Sequence, residues 1–327
     1  MGGNAVKLRQ KMTKVIFSRI SSFLLLTEEW MLGKLSSCQN HSGGYDESYH
    51  KQYWNKVAAC WDITPIPVRP SEHTVEIYRS FLQKNVKGNG DQKVLILGST
   101  PELRDLVAVE SSAKIYVADF SNQMLLAMLR FTKHVDLQKE EWIKSNWLDL
   151  PFPEQFFDVV VGDLVLQQFP PENEPIFLKK VRNLLKSDGV FISRFQFLDK
   201  TYYNEENLAE VINKTFDATL GDRQTISLLK LRVIWLYADL EKRTLNRQVA
   251  VKGLAAYMKR NNLDDPRLRG VLRLLLSEKD SLRNWSPPEE KELTDILSRY
   301  FTISEIKIAS DHEDARYFPI IMLSKAV

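Results

Sequence analysis

The stretch 94–100, VLILGST, constrains this chain more than any other. An apolar run stops at Gly98, and Pro101 stands where a helix can open, because the first helical turn leaves its N–H groups unbonded anyway. A second apolar run, IYVAD, ends in Asp119, 21 positions after that glycine. A carboxylate at the tip of the second strand of an α/β sheet is placed to accept from both hydroxyls of a ribose. Together the two runs predict a strand–turn–helix–strand unit that binds a nucleoside.

The rest of the chain extends the pattern. Strands are predicted at 93–98, 114–119, 141–146, 157–162 and 190–196, with helices at 101–109, 122–134 and 173–186. Ser121 stands at the start of the second helix, and Ser187-Asp188-Gly189 closes the third. Continuous apolar strands such as VLIL and VVV are expected where helices cover both faces of a parallel sheet, and the alternation implies crossovers in a doubly wound α/β fold. Two further strands, 301–309 and 316–324, are too close for a crossover and should pair antiparallel. Residues 204–297 break the rhythm. They show no convincing strand, and Ile226, Leu229, Val233, Leu236 and Leu240 trace a helical stripe, continued by helices at 247–260 and 267–276. Upstream, 33–48 reads as a loop. A helix over 49–62 carries Tyr53, Val57 and Trp61, the proline-rich 63–70 cannot continue it, and a helix over 71–84 has Ser71 as N-cap. Four segments result: N-terminal helices and lid (1–85), a ligand-binding core (86–200), a helical insertion (201–297), and the last two strands (298–327).

Composition excludes several classes. With 44% hydrophobic residues and seven Trp in 327 residues, the chain can bury a sizeable core. Cys38 and Cys60 alone make neither a disulfide framework nor a zinc site and suit a reducing, cytoplasmic setting, and the five His show no metal-ligand spacing. No stretch reaches the roughly 18–20 uninterrupted apolar residues of a membrane span. Residues 13–32 read instead as an amphipathic helix on the face of Ile16, Ile20, Phe23, Leu24 and Trp30, packed on the body or against a partner, a second copy or a membrane surface. MGGNAV lacks the Ser or Thr that myristoylation needs, since Val6 stands there. Net charge is +3 but uneven: residues 1–20 carry +5 and residues 223–283 carry +8, leaving −10 elsewhere. Such a basic stretch is a solvated helical face or a contact surface for an acidic partner.

The order VLILGST, VADFSNQML, NWLDLPFPEQFFDVVVGD, LLKSDGVFISRF resembles the class I S-adenosylmethionine-dependent methyltransferases, a Rossmann-like family, over about residues 92–196, with the final strand pair in agreement. LPFPEQFFDVVVGD carries most of the resemblance. It implies that Gly98, Ser99 and Thr100 pass under the methionine part of the cofactor and that Asp119 holds the ribose. It also implies that Phe120 or Met124 lies against the adenine, with Asn146 and Trp147 at its edge, and that Asp163 sits near the sulfonium. YWNKVAACWD resembles a lid helix, with Tyr53, Trp54 and Trp61 closing the pocket. The chain departs from the family at Thr100 and Glu102, which replace the second and third glycines of GxGxG, and at Ile96, where an acidic residue is common.

Methyl transfer from a sulfonium needs mainly an in-line approach, and a general base only where the acceptor must lose a proton. The candidates are Asp163, His312 and Tyr317, with His50 beside them. No NPPY- or DPPY-like tetrapeptide follows the fourth strand, which argues against nucleic-acid amines, and GxGxxG of the nicotinamide dehydrogenases is absent. The leading expectation is a small-molecule methyltransferase, with the basic insertion over the substrate side suiting an anionic acceptor. An RNA or protein methyltransferase docking through that insertion, and an inactive binding or scaffold protein, stand beside it.

Overall fold

Four strands, each with a buried apolar run, form the centre of the molecule. The computed structural model describes residues 47–59, 61–86 and 90–325. The expected amphipathic helix at 13–32, the loop 33–48 up to Asp46, and both cysteines lie outside them. Strands β1 (Lys93–Leu97), β2 (Lys114–Asp119), β4 (Phe157–Asp163) and β5 (Leu185–Arg194) are joined by β3 (Glu140–Lys144), β8 (Phe301–Lys307) and β9 (Ile320–Lys325) in one seven-stranded sheet. The strand order is β3-β2-β1-β4-β5-β9-β8. β1 to β5 run parallel, whereas β9 is antiparallel to both β5 and β8, as the sequence predicts for the last pair.

Helices cover both faces. α1 (Glu47–Ala59), α2 (Glu72–Asn85), α3 (Pro101–Glu110), α4 (Asn122–Met128) and α5 (Glu174–Leu184) precede β5. Ser71 and Ser121 cap α2 and α4 as expected, their hydroxyls accepting from Thr74 and Met124 N–H. Pro101 opens α3, but Thr100 at its cap position makes no capping bond. The helix expected over 122–134 stops at Met128 and passes into a 3-10 turn at Leu129–Phe131, whose Thr132 hydroxyl bonds back to Leu129.

Between β5 and β8 lie α6 (Leu208–Asp217), α7 (Asp222–Leu236), α8 (Arg247–Arg260), α9 (Pro266–Ser277) and α10 (Glu290–Ser298). This segment is not strandless. Ala238–Asp239 (β6) and Thr244–Leu245 (β7) form a two-residue hairpin between α7 and α8, too short to leave a periodic signal. One hydrophobic cluster runs from Leu95, Val160 and Phe191 of the sheet through Leu229, Val233 and Trp235 of α7 to Leu254, Leu268 and Val271 of α8 and α9. The insertion thus shares the sheet's core. A second cluster on the opposite sheet face includes Ile77, Tyr78 and Phe81 of α2. α1 packs through Ala58 on Met124, Ala127 and Met128.

Arg104 of α3 is fully buried. Its guanidinium pairs with Glu140 of β3 (Nε–Oε1 3.0 Å) and donates to the Leu125 carbonyl of α4 at 2.9 Å. One cation therefore ties together the helices after β1 and β2 and the edge strand.

Candidate active site

The carboxyl ends of β1, β2 and β4 open into one cavity, roofed by α1 on one side and by α7, α8 and the segment around Trp285 on the other. The chain turns at Gly98 with φ +87°, a left-handed conformation that favours glycine, and its N–H bonds the Ala118 carbonyl at 2.8 Å. Trp147 donates its indole N–H to the same carbonyl at 2.8 Å, and its ring stands 3.4 Å from where a Cβ on Gly98 would lie.

Asp119 lines this cavity. Its Oδ2 accepts from the Ser99 hydroxyl at 2.7 Å and its Oδ1 from the Ser121 N–H at 2.9 Å. Burial pushes its carboxyl up to about 6, against the pull of those hydrogen bonds and of Arg104. Ser99, Thr100, Phe120, Met124 and Trp147 line the same cavity, with Tyr53 and Trp61 from the lid side. Trp54 of α1 donates to the Gln168 side chain at 3.2 Å, and the next residue, Asn55, holds Gln123 of α4, so the middle of the lid is fastened to two elements of the core. The acceptor carboxylate, glycine turn and apolar wall of Phe120, Met124 and Met128 fit a nucleoside. Three buried polar atoms of lining residues, Gln167 Oε1, Gln196 Nε2 and Arg247 Nε, have no partner among the described residues.

Other expected positions are arranged differently. Asp163 also lines the cavity, but it is bound by both Nε and Nη2 of Arg194 at 2.8 Å. Tyr78 completes the group, accepting from the Arg194 N–H and donating to the Gly162 carbonyl, both at 2.7 Å. Burial still raises the Asp163 carboxyl, opposed by Arg194. Asn146 is not in the lining; its side chain accepts from the Leu148 N–H and caps the short turn 147–149. His312 and Tyr317 also lie outside the lining. Tyr317 packs among Phe197, Tyr202 and Tyr203, where burial pushes its hydroxyl up to about 12. His312 lies near Phe318, its ring nitrogens without a partner among the described residues and its pKa lowered by burial. His50 is stacked on Trp285 at 5.2 Å. Ile96 is wholly inside the core, and Glu102 accepts from Trp61 with Arg69 at 3.9 Å. Among the described residues no group of three His, Cys, Asp or Glu could hold a metal ion, and no helix is long and apolar enough to cross a membrane.

Several lining residues carried no sequence signal: Leu164, Gln167, Gln168 and Gln196 from the sheet side, and Lys230, Arg247, Arg283 and Trp285 from the insertion. Leu164 adopts φ +54° directly after Asp163, a strained turn at the tip of β4.

Residues 98–193 match the family model described as a methyltransferase domain. No curated protein matches the chain. Among solved structures, the chain is similar to a Rhodobacter sphaeroides protein provisionally named a Zn-dependent alcohol dehydrogenase, with a TM-score of 0.53 and 18% identity over 86% of this chain and 100% of that one. It is also similar to the 1,6-didemethyltoxoflavin-N1-methyltransferase of Burkholderia thailandensis, solved with bound 1,6-didemethyltoxoflavin and S-adenosylhomocysteine, with a TM-score of 0.50 and 11% identity over 89% and 93% of the two chains.

Proposed function

We infer the reaction from one premise: the chain carries a class I S-adenosylmethionine-dependent methyltransferase domain. It transfers the methyl group to a small molecule enclosed in the cavity. The observation that carries this reading is that Gly98 and Asp119 share a single cavity with the apolar wall of Leu231, Ile234, Trp235 and Trp285 from the insertion. A site whose far wall is built mostly from buried side chains suits an acceptor small enough to be enclosed.

The cofactor supplies an activated methyl group, and the protein's task is placement. Asp119 accepts the two ribose hydroxyls, the Gly98 turn admits the adjoining chain, and Met124 and Phe120 flank the base. α1 excludes water. The lining carboxylates Asp119, Asp163 and Glu278 are each already hydrogen-bonded or ion-paired. This favours an acceptor whose lone pair is available without a strong base.

Titration calorimetry with S-adenosylmethionine and S-adenosylhomocysteine tests the cofactor half: both bind, and NADH does not. Asp119→Ala weakens binding by about 1.5–3 kcal/mol, the range for hydrogen bonds to a charged group. Absence of heat from either ligand supports the inactive scaffold instead. Methyl label transferred into a cell extract tests the acceptor half. Label is expected in the low-molecular-weight fraction. Label in RNA, with binding that falls steeply with salt, would favour docking through the basic insertion.

A further inference from the structure

We propose that Arg247, at the start of α8, anchors a carboxylate-class anion carried by the acceptor, so that the substrate is an apolar or aromatic small molecule bearing an acid group. The proposal rests on the methyltransferase reading for the acceptor's role, but its anion site stands on the geometry of Arg247 alone.

Arg247 is 8% exposed and lines the cavity. Among the described residues its guanidinium makes no ion pair and no hydrogen bond, and its Nε is enclosed without a partner. A buried cation left alone is costly, and proteins rarely keep one without a use for it. The surroundings do not neutralise it. Glu278 is the nearby carboxylate, and it is engaged by Lys230 at 2.8 Å. Arg283 makes no ion pair among the described residues either; it donates to the Gln167 carbonyl at 3.1 Å and lies over the rings of Tyr53, Trp54 and Trp285. Three cations thus line this part of the cavity against one carboxylate that is already taken.

The backbone adds to the field. Arg247 is the first residue of the 14-residue α8, whose first turn holds no acidic residue. A cation there opposes the helix dipole, unless an anion is meant to sit against both. The helix start is held firmly. Asn246 caps it through Val249 N–H. Just upstream, Arg243 grips Glu174 of α5 through both guanidinium ends, at 2.8 and 2.6 Å. With the helix start held, the planar guanidinium of Arg247 is free to take a carboxylate in bidentate fashion. The cavity's apolar walls, Leu231, Ile234, Trp235 and Trp285, call for an apolar body.

The methionine end of the cofactor carries the same chemistry, so the test separates the two sources. The probes are 1-naphthoate and its neutral isostere 1-naphthamide, added to the S-adenosylhomocysteine-loaded protein. The acid should bind about tenfold more tightly than the amide, a preference that Arg247→Gln removes and Arg247→Lys partly keeps. Equal binding of acid and amide to the native protein overturns the proposal, as does a preference that survives in Arg247→Gln. Affinity for S-adenosylhomocysteine and for methylthioadenosine, which lacks the amino-acid end, should be unchanged in Arg247→Gln. A loss confined to S-adenosylhomocysteine would assign the anion to the cofactor and overturn the acceptor assignment. Should the native protein bind no S-adenosylhomocysteine, the methyltransferase reading fails, and the acid–amide comparison on the unloaded protein still decides Arg247. Arg247→Met gives a readout of fold: it should raise the melting temperature, because an unpaired buried charge is removed, whereas a structural arginine would lower it.

Discussion

Asp119 shows how one buried group couples ligand, pH and stability. Its folded pKa, raised to about 6, lies above the ordinary 3.8 because burial disfavours the charged form. The folded protein therefore holds this proton more tightly than the unfolded chain. Its contribution to stability is complete below about pH 4 and is lost as pH rises through 6, a change of about 3 kcal/mol in the ligand-free protein. In the proposed site the ribose hydroxyls would donate to the ionised form, so affinity for S-adenosylmethionine should fall as pH drops through 6 and level off above it. Calorimetry between pH 5 and 8 checks this, and Asp119→Asn should give a flat profile. Asp119 and Gly98 were legible in the sequence because their message is local: residue type, strand end and spacing suffice. Arg247 was not, because what marks it is the absence of a partner among the described residues after folding, and its one sequence trace is a basic residue in a helix's first turn. His312 and Tyr317 were selected by side-chain chemistry alone, and chemistry does not say which way a loop carries a ring.

At the tips of β4 and β5, register sets Asp163 against Arg194, and α2 brings Tyr78 to both. Asp163→Ala would strand a buried guanidinium, at a cost of about 3–5 kcal/mol in urea unfolding. A catalytic acid without structural duty would instead lose turnover at unchanged stability. The parallel strands and their helices were readable because continuous apolar runs and capping serines are written into single segments. The β6–β7 hairpin was not: two residues per strand carry no period, and its stability comes from Arg243 reaching Glu174 and from Leu245 N–H bonding the Asn284 carbonyl.

Across the whole molecule, the insertion and the sheet share one apolar core, and Arg232 of α7 joins them by pairing with buried Asp314, which precedes β9. Arg232→Ala should therefore destabilise the entire fold by about 3–5 kcal/mol. Far-ultraviolet dichroism and tryptophan emission should report one common transition, because Trp147 and Trp235 belong to the same cluster. Two separate transitions would show that the insertion unfolds alone. The buried Arg104 has a different reach. It fastens the outermost strand to the two helices whose first turns follow Gly98 and Asp119. A change at Glu140, whose side chain is buried outside the cavity lining, should thus loosen the grip proposed for the sugar.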